Sequence, residues 1–196
     1  MLNMHTPLDD LTTTELSILC QAVGLEPDGQ RSPWGAWIDD SGQYRYSLWR
    51  QWDPAAEMCA FIALNPSTAD ATNNDPTVTR EINLAKSWGY GGLIKLNLFA
   101  HRATDPNDMK RAADPVGPFN DGVLRLVPRV MALTVCCWGV NGIHRNRSAV
   151  VTGMLRNLVQ DHPEINLCYL RLTKNGHPQH PLYLPRNLTP TPWNLT

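Results

Sequence analysis

Asn65, Ser67, Asp70 and Asp75 lie close together in FIALNPSTADATNNDPTVTR (Phe61 to Arg80), which begins as an apolar run and then turns to small polar residues and carboxylates. An amide beside a carboxylate can hold a water for attack and stabilise a positive centre. Asp75 precedes Pro76 and suits the N-cap of a helix, whose N-terminus also attracts anions. Asp70 has no capping duty and is the freer carboxylate. Far along the chain, NGHPQHPLYLP places His177 and His180 each before a proline. That stiffens an extended backbone, and a histidine fixed there can donate to a developing anion or carry a proton. The HxxH spacing is no metal site here, because the prolines keep the segment out of a helix; neither a metal nor a cofactor is expected.

The remaining candidates lie between these two stretches. Asn97 sits inside the apolar string KLNLF, where a buried amide must find partners. Arg102 follows in AHRATD; it can meet a substrate oxygen or brace a loop by pairing with Asp105 or Asp70. Trp138 closes MALTVCCWG and can stack on a base or pack the core. Arg145 and Arg147 in HRNR, with Lys174 in TKNG, are candidates to hold phosphate or to be solvated surface.

The elements that must position these residues follow from periodicity. MCAFIAL, LIKLNLF, MALTVCCWG and NLCYLRL are unbroken apolar strings, the pattern of strands covered on both faces. Helical segments separate them: DPTVTREINLAKSW, then DPNDMKRAA and NDGVLRLVPRV, then RSAVVTGMLRNLVQDH. The expected fold is α/β, a three-layer sandwich around a mainly parallel four-stranded sheet. An N-terminal helix precedes it, with Thr12 and Glu15 forming a capping box and Gly24 ending it. Next comes an aromatic hairpin with strands at Trp37 to Asp39 and Tyr44 to Trp49. We expect one domain over 1–196, with 1–57 as the helix and hairpin extension and 58–196 as the core. In a parallel sheet ligands bind beyond the carboxyl ends of the strands. The segments there (NPSTAD, AHRATD, WGVNG and TKNGHPQHPLYLP) hold the polar, Gly and Pro residues.

Composition narrows the class. The formal charge of −1 hides an asymmetry: residues 1–80 carry 4 Lys/Arg and 11 Asp/Glu, residues 81–196 carry 13 and 7. The basic half can face a polyanion, so DNA or a nucleotide is the expected partner. The 5 cysteines are an odd number and fall mostly in apolar strings, as buried thiols in a reducing cytoplasm do. The first residues lack the pattern of a secretory signal, and no apolar stretch is long enough to span a membrane.

The strings RYSLWRQW, FIALNPSTAD, NDPTVTR, GYGGLIKLNLFAHRATDP and DPVGPFNDGVL resemble a family of bacterial and phage proteins known as a numbered domain of unknown function, over about Tyr44 to Leu172. More distantly, the order strand–NPS–helix, strand–WG, strand–GHPQHPL resembles the uracil-DNA glycosylase superfamily. That resemblance implies a four-stranded parallel sheet between helices. It also implies Asn65 at the water-handling position and His177 or His180 as the donor to the leaving base. The strings DPT, RATDP and QHPLYLP have no counterpart there. The expected activity is that of a DNA glycosylase-like hydrolase, cleaving the N-glycosidic bond of a modified or damaged base. Asn65 and Asp70 would serve sugar and water, the histidine would serve the base, and Ser67, Asp75, Asn97, Arg102 and Trp138 would bind substrate. Two alternatives stand beside it: a non-catalytic nucleic-acid or nucleotide-binding domain, and another nucleotide-modifying enzyme on the same scaffold.

Overall fold

The computed structural model describes residues 8–26 and 28–195. The four apolar strings form β3 (Met58–Ala63), β4 (Gly92–Asn97), β5 (Leu133–Cys136) and β6 (Leu167–Tyr169), all paired in parallel. Successive side chains of a strand point to opposite faces, so each string feeds two cores. Met58, Ala60 and Ile62 join one cluster, with Leu19 of α1 (Thr13–Val23), Val123 of α4 (Asn120–Leu126) and Leu155 of α5 (Arg147–Asp161). Cys59, Phe61 and Ala63 join the other, with Leu84 and Ala85 of α2 (Pro76–Ser87). The result is a mixed α/β fold with helices on both faces of the sheet. The short α3 (Pro106–Arg111) starts at the Asp105 cap.

The sheet has seven strands among the described residues rather than the four expected, in the order β1-β2-β4-β3-β5-β6-β7. The hairpin strands β1 (Trp34–Ile38) and β2 (Arg45–Gln51) continue the sheet, with β2 antiparallel to β4. At the other edge the two-residue β7 (Thr191–Pro192) pairs with β6. A parallel core ends in two edges of unpaired backbone groups, and these antiparallel strands satisfy them.

The hairpin also reaches toward the strand-end loops. Trp37 pairs with Ser47 but Ile38 pairs with Arg45, which leaves Tyr46 as a bulge. Tyr46 packs beside Trp37 and Phe119 in the cluster under α1, while Leu48 packs with Val78 of α2. The bulge thus lets Arg45 and Arg50 reach the loop before α2. Arg45 Nη1 donates to Ala69 O at 2.5 Å. Arg50 donates from Nε to Asn74 Oδ1 at 2.8 Å and from Nη2 to Asp70 O at 2.6 Å. Both guanidinium groups are fully buried, and burial lowers the Arg45 pKa to about 10.

α1 begins with the expected capping box between Thr12 and Glu15 and ends at Gly24, in left-handed conformation. The cysteines are free; Cys59, Cys136, Cys137 and Cys168 are buried and Cys20 half-buried. Burial pushes all four buried thiols up, Cys168 to about 11. No helix among the described residues is long and apolar enough to cross a membrane.

Removing a buried charge that satisfies several carbonyls leaves those carbonyls unpaired, at a cost of about 3 kcal/mol. Arg50→Met should therefore lower the unfolding free energy by about that amount with an unchanged m-value in urea. A loss below about 0.5 kcal/mol would show that the arginine does not hold the loop.

Candidate functional site

The chain enters the parallel sheet at β3, moves to β4 on one side, then crosses to β5 on the other. The connections leaving β3 and β5 therefore depart to opposite faces, and a crevice opens between their carboxyl ends. A cavity of about 440 Å³ occupies that end of the sheet, and all four strand-end loops contribute to it. That volume suits a small ligand of nucleoside size.

Asn65 and Ser67 line it after β3. The Asn65 amide nitrogen donates to Pro66 O at 3.0 Å and Ala103 O at 2.7 Å, tying the loops after β3 and β4 together. Its carbonyl oxygen is the atom left for a ligand. Asp75 and Thr77 line the cavity at the start of α2. Asp75 is buried and accepts from Val78 N–H through Oδ1 at 2.8 Å. That single hydrogen bond, the one formed among the described residues, leaves Oδ2 available. The Asp75 cap and Pro76 at the first helical position also turn the positive end of α2 toward the cavity.

After β5 come Trp138, 2% exposed, and Gly139. Gly139 has φ +71, a conformation that favours glycine. Its N–H donates to Pro178 O at 2.7 Å, which brings the β5 and β6 loops together. His180 lines the cavity from the β6 loop, where Pro181 opens a short 3-10 turn. Leu182 N–H donates to His180 Nδ1 at 3.4 Å, which places the ring proton on Nε2. Burial and then the Lys95 charge lower the His180 pKa to about 4, with Asp75 opposing. The ring is thus a neutral donor near neutral pH.

The floor includes Lys95 of β4, which the sequence reading did not single out. Its ammonium donates to both oxygens of Glu81 on α2, at 2.5 and 2.7 Å, with both side chains buried. Burial pushes the Glu81 carboxyl up, against the pull of the ammonium. The available signal was a charge in each of two apolar patterns: Lys95 within a buried strand string, and Glu81 at helical spacing between Val78 and Leu84.

Asn97 is fully buried, and neither atom of its amide has a partner among the described residues. It is not a lining residue, but its cross-strand partner Ala63 is. The other sequence candidates lie outside this cavity. Asp70 accepts from Thr72 N–H and Asn73 N–H in a local turn, which holds its carboxyl well below the usual range. Arg102 donates to Gly42 O rather than to Asp70 or Asp105. Arg145 donates to Ala112 O and Ala113 O, and Arg147 to Leu98 O and Asp121. Lys174 is exposed, and His177 lines a separate cleft beside Arg156 and Trp193, of which Trp138 is the shared wall.

Fold and site together define a mixed α/β protein with a largely apolar cavity, carrying a few polar groups, at the carboxyl ends of its parallel strands. Comparison places it further: the profile of the family described as "Protein of unknown function (DUF1643)" matches residues 45–182, and the chain belongs to that family. The matched span takes in every cavity-lining residue named above. No curated protein and no solved structure matches the chain.

His180 gives a pH signature. Its folded pKa lies below the unfolded value of 6.5, so the unfolded chain binds the proton first. Stability should fall as pH drops from about 6.5 to about 4, and His180→Gln should flatten that part of the profile. Urea unfolding at a series of pH values checks this; parallel wild-type and variant profiles would refute the assignment.

Proposed function

We propose that the chain is a DNA glycosylase-like hydrolase, cleaving the N-glycosidic bond of a modified or damaged base extruded from DNA. The observation that carries this reading is the meeting of Asn65, Asp75, Trp138 and His180 in one cavity.

Departure of a base leaves an oxocarbenium-like sugar and a negatively charged leaving group. In this reading the carboxylate for the sugar is Asp75 rather than Asp70, since Asp75 has an oxygen to spare and Asp70 is spent on its own turn. The Asn65 carbonyl oxygen orients the water. The donor to the departing base is His180 rather than His177, because a neutral Nε2–H stabilises an anion without first losing a proton. Trp138 offers an aromatic wall. Val140, Leu182 and Tyr183 line the cavity yet are 53%, 40% and 84% exposed, an apolar rim suited to bases beside an extruded nucleotide.

The test is a panel of duplexes carrying deaminated, alkylated or oxidised bases, assayed for free base and alkali-labile sites. Asp75→Asn keeps a capping side chain and removes the charge. It should lower base release by about a thousandfold while DNA binding persists. An unchanged rate in that variant would sink the mechanism. Turnover of free nucleotides with inert DNA would favour the nucleotide-modifying alternative, and binding with no turnover of either would favour the binding module.

A further inference from the structure

The glycosidase reading leaves Lys95 and Glu81 without a task. Lys95 is the one amine among the lining side chains, and its ammonium is held between both oxygens of Glu81. The pair is not needed for packing: two charges buried this deeply are no better for stability than two apolar side chains of like volume. Desolvation is what turns a lysine into a nucleophilic amine, and here a carboxylate in contact is placed to take its proton. Lys95 forms part of the floor of a cavity shared with His180, whose ring senses the Lys95 charge, and Glu81 lies buried in contact with its ammonium.

We propose that Lys95 is a second catalytic group, forming a Schiff base with the abasic sugar left after base release, so that the protein also cuts the strand as a lyase. The inference rests on the glycosidase reading for the origin of that sugar. Hydrolysis of the glycosidic bond gives a ring-opening sugar with an aldehyde at C1′. Glu81 accepts a proton from the Lys95 ammonium, and the freed Nζ adds to C1′. The proton returns to the new hydroxyl, which leaves as water while the iminium C=N bond forms. Asp75, the lining carboxylate with Oδ2 to spare, then removes a proton from C2′, and the electron pair of that C–H bond passes to the iminium nitrogen. The pair returns to form the C2′–C3′ double bond as the C3′–O bond breaks and the 3′ phosphate leaves. Water hydrolyses the C=N bond, releasing an unsaturated aldehyde and restoring Lys95. No oxidant or reductant is consumed.

The experiment uses the whole chain and a synthetic duplex bearing one abasic site, so it does not depend on which base the protein releases. Borohydride added during incubation should trap a covalent protein–DNA adduct, and peptide mapping should place it on Lys95. Lys95→Arg keeps the charge and the Glu81 contact but should reduce the adduct at least ~50-fold. Glu81→Gln should slow trapping at neutral pH and recover part of the loss as pH rises and the amine deprotonates without help. The double variant Lys95→Met/Glu81→Leu removes both charges at similar volume; it should fold, as checked by thermal unfolding, and should give no adduct. An adduct of wild-type yield in Lys95→Arg, mapping to another lysine, or no adduct in the wild type overturns the proposal. Base release from modified duplexes without adduct or strand break would overturn the lyase step and leave the glycosidase reading intact. Trapping on the abasic duplex with no base release from any substrate would do the reverse.

Discussion

The position of β3 governs this molecule. It is the first parallel strand in the chain, yet it lies between β4 and β5 in the sheet. Crossovers in such sheets are right-handed, so a chain that leaves a central strand first one way and then the other must put its helices on opposite faces. The loops after β3 and β5 then part, and the gap between them cannot be closed by the sheet itself. Asn65, Asp75 and Trp138 meet because they terminate or follow these two strands. The β6 loop is drawn in by the hydrogen bond from Gly139 to Pro178, which brings His180 to the same place.

Polar and charged groups lie under and beside this gap in numbers that stability does not call for. Lys95 with Glu81, the arginines Arg45 and Arg50, and the unpaired amide of Asn97 are all buried. Each is costly to desolvate, and an apolar replacement of matching volume is commonly neutral or better. The arginines have an evident duty: they fasten the loop that ends in the Asp75 cap. That ties the aromatic hairpin to the cavity wall, so it belongs to the site as well as to the sheet.

The sequence exposed the layers and hid the joinery. Continuous apolar strings such as MCAFIAL identify strands covered on both sides, and Asp-Pro pairs mark the starts of α2 and α3. Strand order is not written in periodicity, because local pattern is the same whichever neighbour a strand finds. The two-residue β7 carries no pattern at all, since a Thr-Pro pair reads as a turn. At the site the difficulty was one of duties. Asp75 looked committed to its helix, but a cap uses one carboxylate oxygen and leaves the second. Asp70 looked uncommitted, and yet Thr72 and Asn73 sat two and three residues away to occupy it. Lys95 was not singled out at all, because its meaning depends on Glu81, fourteen residues earlier on a different element.

The buried cysteines give the two cores separate native reporters. Cys136 lies in the layer beneath α1, α4 and α5, whereas Cys59, Cys137 and Cys168 lie in the layer beneath α2. A thiol sealed from water and disfavoured as thiolate reacts with an alkylating reagent only when its surroundings open. Residue-resolved alkylation of the unmutated chain therefore times the breathing of each layer independently, and tells whether the sandwich parts as one body or one leaf at a time.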